Sequence, residues 1–246
     1  MPPETILTDN PQILTLRTYT TLSLVRKEWS GSLILCCGLG PEGSALAMAA
    51  NIAGATCLAI DERPDACRAA MRAGACDFVV NTVDEALRIL KNEIRQRKPI
   101  SVGLELASTS ALEELLSRGL LPQLFTLCDA AEMPVDEALY GHAVAIFQPL
   151  GCRIMHFDPS VGGLADVLET RNRLEAHLAE QSLSLKSFSF DSVADLRNFD
   201  ARLQALIPPD DARHRWVTAA PALFHRSRPL CRVVSLTDSE QALLRE

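Results

Sequence analysis

A glycine-rich turn, GLGPEG at 38–43, stands between two apolar segments near the start of the chain. The segment before it, 32–37, has the pattern of a buried strand, and the segment after it, 44–53, consists of small apolar residues typical of a helix packed on a sheet. A second apolar run at 56–60 ends in Asp61, near the spacing at which dinucleotide-binding folds place the acid that binds a ribose. The pattern therefore predicts a strand, a phosphate-binding turn and a helix, in that order.

Each glycine of this turn has a physical role in such a fold. Gly38 allows a sharp exit from the strand, Gly40 leaves space for a pyrophosphate, and Gly43 lets the helix approach the sheet. The N–H groups of the first helical turn and the helix dipole would hold the phosphates. The predicted cofactor-binding residues are Gly38, Leu39, Gly40, Gly43, Ser44 and Asp61.

Two acidic residues qualify this prediction. Asp61 favours NAD over NADP, because a carboxylate accepts from a 2′-hydroxyl and repels a 2′-phosphate. Glu42 supports the alternative that the turn binds nothing, because its carboxylate competes with a phosphate for the same N–H groups.

The rest of the chain predicts a doubly wound, Rossmann-like α/β fold with a parallel sheet of about five strands. Apolar runs alternate with helical segments of about ten residues, which is typical of a parallel sheet covered on both faces. We expect strands at 32–37, 56–60, 77–80, 100–106 and 123–127. The predicted organisation is an N-terminal arm at 1–30, a Rossmann-like dinucleotide-binding domain at 31–150, and a smaller, mainly helical C-terminal portion with a terminal strand at 151–246.

Composition excludes several classes of partner. The formal charge of −7 and the pI near 5.3 argue against nucleic acid and anionic membranes, since both require a concentrated basic surface. No apolar stretch predicts a signal peptide or a membrane span, so we expect a cytoplasmic protein.

The eight cysteines show no CxxC spacing and the five histidines have no metal-ligand neighbourhood. We expect buried, reduced thiols and no metal site.

From Leu33 to Leu127 the sequence resembles the NAD-binding, Rossmann-like domain of the urocanate hydratase (urocanase) family. The resemblance rests on the Gly38-Leu39-Gly40 turn, the small-residue helix through 53–55, the acid at Asp61, and the segments 84–87, 99–101 and 114–122. A second matching patch runs from 206 to 216, and the two together cover roughly half of the chain.

This resemblance implies NAD+ held in the turn. Urocanases hydrate urocanate in histidine degradation and use NAD+ as an electrophile that bonds to the substrate ring. The sequence differs from the family at 41–42, where Pro-Glu replaces small residues, and at 128–132, where a polar segment is lost. The resemblance also places the catalytic cysteine on Arg232 or Val233, one or two positions from Cys231, and leaves the family's substrate-binding core unmatched.

Three functional hypotheses remain open at this point. The first is a reduced urocanase relative that binds NAD+ as a sensor or subunit without a complete active site. The second is a non-catalytic pseudoenzyme that acts through protein association, as a homo-oligomer or with a full-length urocanase. The third is an active lyase or oxidoreductase. Glu105 and Asp129 follow strands at the expected carboxyl edge of the sheet, but the sequence identifies no acid–base pair, so the catalytic residues stay unknown.

Overall fold

The computed structural model describes residues 10–128, 137–156, 164–225 and 227–245. Its centre is a six-stranded sheet in the order β3-β4-β2-β1-β5-β6, and every pairing in it is parallel. The strands are β1 (Leu33–Cys37), β2 (Thr56–Ile60), β3 (Phe78–Val80), β4 (Ser101–Leu104), β5 (Leu124–Leu127) and β6 (Arg153–His156). The predicted doubly wound parallel fold is confirmed.

Helices cover both faces of this sheet because its central strands are apolar throughout. All residues of β1, β2, β4 and β5 are buried, so each strand has two faces to shield from water. One face is covered by α1 (Pro11–Val25), α2 (Pro41–Ala53) and α3 (Pro64–Ala73). The other is covered by α4 (Val83–Gln96), α5 (Ser108–Ser117) and α6 (Glu137–Phe147), and a short 3₁₀ helix at Gln148–Leu150 follows α6.

The order of the strands sets the position of a ligand crevice. After β1 the chain adds β2, β3 and β4 on one side, and then crosses to add β5 and β6 on the other. The direction of winding therefore reverses between β1 and β5. In open α/β sheets ligands bind at the carboxyl ends of the strands at such a reversal.

The C-terminal residues form a second, smaller unit against the α1 side of the sheet. It consists of α7 (Leu164–Glu180), β7 (Ser184–Ser189), α8 (Val193–Leu206), α9 (Arg213–Leu223), β8 (Cys231–Leu236) and α10 (Asp238–Arg245). β7 and β8 pair antiparallel as a separate two-stranded sheet. Trp216 and Val233 of this unit share a core with Leu16 of α1 and Ile34 of β1.

Three features differ from the sequence-based expectation. In the described residues the sheet has six strands rather than about five, because β6, which lies beyond the predicted domain boundary at residue 150, pairs with β5. Within the predicted N-terminal arm, 11–25 is a helix with eight buried residues. β7 was not predicted at all. The division into an arm, a Rossmann domain and a C-terminal portion otherwise stays a prediction.

Helix α1 forms despite a run of threonines that lower helix propensity. Asn10 caps it by accepting from the Gln12 N–H at 2.9 Å, and Pro11 occupies its first position. Five hydroxyls donate to the carbonyl four residues earlier, as Thr18 does to Leu14 at 2.9 Å. Burial against α2 supplies the stability that propensity does not.

Candidate functional site

The glycine turn lies at the carboxyl end of β1, next to the end of β5. Gly38 has a φ of +105°, and its N–H donates to the Ile60 carbonyl at 2.7 Å. A Cβ at this position would lie 1.9 Å from the Cys128 carbonyl oxygen. Only glycine therefore allows the turn and the end of β5 to approach this closely.

Gly40 ends the turn as the residue that precedes α2. Its φ of −75° is open to any residue, and as a glycine it has no side chain of its own to cap the helix. Pro41 occupies the first helical position, where its ring favours helix initiation, and Glu42 lies in the first turn. The Ser44 hydroxyl donates to the Leu39 carbonyl at 3.4 Å. The substitutions at 41–42 thus favour the start of the helix, whose dipole is positive at this end.

Asp61, at the end of β2, is fully buried and holds the turn from behind. Its Oδ2 accepts from the Leu39 N–H at 2.8 Å and from Arg63 Nη2 at 2.8 Å. Its Oδ1 accepts from the Arg63 N–H at 2.9 Å and from Arg63 Nε at 3.0 Å. Four donors fill the capacity of a carboxylate, so in this conformation Asp61 has no acceptor site left for a ribose hydroxyl.

The pKa of the Asp61 carboxyl reflects the same contacts. Burial by itself raises that pKa, because it disfavours the charged form. Hydrogen bonds from the Arg63 side chain, the Arg63 N–H and the Leu39 N–H outweigh burial, and the pKa lies below its usual range. Asp61 is therefore an anion that neutralises Arg63 at physiological pH.

A cleft of about 960 Å³ opens beside the turn, between α2, α3 and the first turns of α1. Its volume is typical of small-molecule sites. The wall near the turn is polar, with Ser44, Glu62 and Arg63, and the wall further along is apolar, with Met48 of α2 and Ala70 of α3. The cleft can therefore take a ligand with a polar end at the turn and a flat or apolar part between the helices.

The structure brings only some of the six predicted residues to this cleft. Leu39, Gly40 and Ser44 line it. Gly38, Gly43 and Asp61 are buried behind it, where they shape the turn. Whether any of the six contacts a cofactor stays a prediction.

Two residues of the cleft are not among the six predicted cofactor-binding residues. Arg63 forms its polar rim, and the Asp-x-Arg spacing after a predicted strand could have revealed the ion pair with Asp61. Asn10 enters from the segment predicted as an arm, and its position before Pro11 is a helix-start signal.

The strand that the resemblance matches to the catalytic segment is occupied by structural contacts. Arg232 is 1% exposed and binds the Asp200 carboxylate at 2.7 and 2.8 Å. Cys231 is buried, and its sulfur accepts from Asn10 Nδ2 and Gln12 Nε2 at 3.4 Å each. Gln12 also bonds to the Cys231 carbonyl and the Val233 N–H, as a neighbouring strand would. Arg232, one of the two positions that the resemblance aligns with the catalytic cysteine, therefore carries a core ion pair.

The other candidate groups form no catalytic cluster in the described residues. Glu105 is half-buried beyond β4, where its N–H donates to the Val80 carbonyl at 2.8 Å, and Asp129 lies outside the described residues. None of the eight cysteines forms a disulfide bond, and all are buried. Within the described ranges, no group of three or more His, Cys, Asp or Glu residues could hold a metal ion, and no helix has both the length and the apolarity to cross a membrane.

Solved structures that resemble the chain include two alcohol dehydrogenases. One is a short chain alcohol dehydrogenase from E. coli CFT073 complexed with the cofactor NADH, which is 16% identical with a TM-score of 0.39; the match covers 96% of this chain and 61% of that one. The other is an alcohol dehydrogenase from Thermus sp. ATN1, 16% identical with a TM-score of 0.37; the match covers 69% of this chain and 47% of that one. The chain thus spans less than two thirds of either dehydrogenase.

A family model gives a more specific match. The model of the urocanase Rossmann-like domain matches residues 13–142, just over half of the chain. The match contains most of α1, the glycine turn, Asp61 and the sheet from β1 to β5. The chain belongs to the urocanase Rossmann-like domain family.

Proposed function

We propose that this protein binds an adenine dinucleotide, NAD, at the carboxyl edge of its sheet, as a reduced urocanase relative without a complete active site. The observation that carries the proposal is the Leu39–Gly40 turn, which opens onto the 960 Å³ cleft at the start of the 13-residue helix α2. A turn without a side chain at Gly40, at the positive end of a helix and beside the β1–β5 reversal, suits a pyrophosphate.

The cleft's own residues supply the remaining contacts. The Ser44 hydroxyl lies on the first turn of α2, within reach of a phosphate at the turn. Beyond it, the apolar wall of Met48 and Ala70 suits the flat face of an adenine. When bound, the nicotinamide would supply the electrophilic chemistry of the family, while the protein holds and orients it.

The preference for NAD over NADP follows from a different contact than the sequence suggests. A 2′-phosphate needs a positive partner, and Arg63 is the basic residue at the rim of this cleft. Its guanidinium is held by Asp61, and Glu62 and Asp65 also line the cleft. The rim therefore has no excess positive charge to attract a 2′-phosphate. Asp61 acts by holding Arg63, and does not contact the ribose itself.

Calorimetric titration with NAD+ and NADP+ tests this proposal. We expect 1:1 binding of NAD+ and weaker binding of NADP+. The variant Gly40→Ala keeps an allowed backbone but adds a Cβ where the phosphate approaches, and we expect it to weaken NAD+ binding about tenfold. Gly141→Ala is the matched control, because a Cβ there meets no atom within 4 Å. Absence of NAD+ binding to the native protein would contradict the proposal.

A second candidate function is non-catalytic association with a full-length urocanase. The saturated Asp61 carboxylate and Glu42 in the first turn of α2 favour it, because both reduce the groups that can hold a cofactor. Light scattering after size-exclusion chromatography of the protein mixed with a purified urocanase measures such association. A complex without NAD+ binding would favour this function over the first.

A further inference from the structure

The start of helix α1 has one side on the cleft beside the glycine turn and the other side on the C-terminal unit. Asn10, Pro11 and Leu14 line the cleft. Gln12 lies between them in the sequence, but its side chain is directed at β8 and only 1% of the residue is exposed. The wall that α1 gives to the cleft and the contact that α1 makes with β8 therefore belong to the same few residues.

The Gln12 side chain binds the edge of β8 through both halves of its amide. Its Nε2 donates to the Cys231 carbonyl at 3.0 Å, and its Oε1 accepts from the Val233 N–H at 3.2 Å. Arg232 Nη1 also donates to this oxygen, at 3.4 Å. All residues of β8 are buried, so loss of the amide would leave a backbone donor and a backbone acceptor without partners.

Asn10 joins the two sides of the helix start. Its Oδ1 caps α1 by accepting from the Gln12 N–H at 2.9 Å, and its Nδ2 donates to the Cys231 sulfur at 3.4 Å. The same residue lines the cleft. A shift of β8 relative to α1 would therefore move a residue of the cleft wall.

β8 is fixed in turn by two helices of the C-terminal unit. The Arg232 guanidinium binds the Asp200 carboxylate of α8 at 2.7 and 2.8 Å and donates to the Ala220 carbonyl of α9 at 3.1 Å. Trp216 of α9 donates through Nε1 to the Val233 carbonyl at 2.8 Å. Buried networks whose hydrogen bonds are satisfied are rigid. The position of the α1 wall is therefore set by the C-terminal unit.

The residues that set this position lie outside the part of the chain that the family model matches. The match runs from 13 to 142, whereas Asn10 and Gln12 precede it and the C-terminal unit follows it. The walls that the glycine turn, α2 and α3 give to the cleft lie within the match. The cleft thus combines walls of the family domain with one wall that is positioned from outside it.

We propose that Gln12 is a positioning residue that couples the cleft to the C-terminal unit, so that ligand binding in the cleft and the packing of β8 against α1 stabilise each other. This inference rests on the NAD binding proposed above. A ligand that fills the space between α2 and α3 also contacts the α1 wall, because small-molecule sites enclose most of the surface of their ligand. The ligand holds this wall in place, and Asn10 and Gln12 connect the wall to β8. The coupling is reciprocal, since binding free energies are linked.

The coupling is measured first as a change in affinity. Gln12→Met keeps nearly the length of the side chain but removes the hydrogen bonds to the Cys231 carbonyl and the Val233 N–H. We expect it to weaken NAD+ binding about fivefold in calorimetry. Val83→Ala, in the core on the opposite face of the sheet, is the matched control for a general loss of stability. It should leave the affinity within about twofold of the native value.

Hydrogen exchange measures the same coupling in the native protein, without a substitution. Saturating NAD+ should slow amide exchange in β8 by about threefold or more beyond its effect on α4, which lies on the opposite face of the sheet. A ligand that stabilised only the whole fold would slow exchange in both elements alike. In Gln12→Met the additional slowing in β8 should disappear.

The outcomes separate this inference from the function on which it rests. Absence of NAD+ binding to the native protein would overturn both. Unchanged NAD+ affinity in Gln12→Met, or equal slowing of exchange in β8 and α4, would overturn the coupling and leave the proposed nucleotide site in place. If Gln12→Met does not fold, the exchange measurement on the native protein decides.

Discussion

The buried carboxylate of Asp61 accepts a hydrogen bond of 2.8 Å from the backbone N–H of Leu39, 22 residues earlier in the chain. This contact joins the end of β2 to the turn that follows β1. Arg63 encloses the same carboxylate from the other side, through its own N–H and its guanidinium. The acid that sequence reasoning assigned to a ribose therefore fixes the conformation of the turn.

Replacement of Asp61 by asparagine should destabilise the protein by about 1–3 kcal/mol, because an amide cannot accept from all four donors and leaves buried N–H groups unsatisfied. Urea denaturation at pH 7 measures this change. Asp65→Asn is the control, since the Asp65 side chain is 96% exposed and pairs only with Arg68 in the described contacts. We expect that change to stay within about 0.5 kcal/mol. Equal effects of the two substitutions would show that the Asp61 contacts contribute no stability.

Acidification should destabilise the protein below about pH 4. The pKa values of Asp61, Asp211 and Glu240 all lie below their ordinary values: burial raises each, and contacts from Arg63 or Arg213 outweigh it. Groups with a lowered folded-state pKa stabilise the protein above their unfolded pKa, and this contribution is lost as the pH falls through the folded value. Unfolding free energies at pH 7, 5, 4 and 3 measure the loss. The decrease should be smaller in Asp61→Asn, and an identical decrease would contradict the assignment.

Replacement of Gly38 by alanine should destabilise the protein more than replacement of Gly74. Both glycines have a positive φ, of +105° and +77°, so each substitution costs about 1–2 kcal/mol in backbone strain. A Cβ at Gly38 would also lie 1.9 Å from the Cys128 carbonyl oxygen, whereas one at Gly74 meets no atom within 4 Å. The clash should add about 1–3 kcal/mol. The denaturant midpoints of the two variants measure this difference in stability. Equal midpoints would mean that the turn and the end of β5 do not pack closely.

Replacement of Glu42 by glutamine should tighten NAD+ binding about two- to fivefold. The substitution keeps the size of the side chain but removes a negative charge from the first turn of α2, where it opposes a phosphate. Calorimetry measures the change, with Glu113→Gln in the exposed middle of α5 as the control. Unchanged affinity in Glu42→Gln would show that the phosphates do not approach this helix terminus.

The protein should not hydrate urocanate at a rate typical of a urocanase. Arg232, at one of the two positions that the resemblance assigns to the catalytic cysteine, is 1% exposed and bound to Asp200. Cys231 is buried and its sulfur contacts the amides of Asn10 and Gln12. The assay follows the loss of urocanate absorbance with saturating NAD+. Turnover that disappears in Cys231→Ala would refute this prediction and identify a minimal hydratase.

Local sequence patterns determined most of the secondary structure of the Rossmann-like domain. Helix α4 begins at Val83 because the Thr82 hydroxyl accepts from the Glu85 N–H, and its apolar face has a helical period. Thr237 and Glu240 form a similar capping pair at the start of α10, in which each backbone N–H donates to the other residue's side chain. The sequence analysis did not identify this signal. Signals of this kind lie within a few residues of the element they specify, so they can be recognised without the fold.

Tertiary structure decided the chemistry of the candidate site. The charge of Asp61 is balanced by Arg63 and tied to Leu39 only once β1 and β2 lie side by side. Likewise, α1 is stabilised as a helix by packing against α2, and β7 forms by antiparallel backbone pairing with β8. The sequence by itself determined the alternation of strands and helices and the position of the glycine turn, since these depend on local apolar periodicity and backbone freedom. Which carboxylate is free, and which cleft opens beside the turn, depends on contacts between residues distant in the chain, and these exist only in the folded molecule.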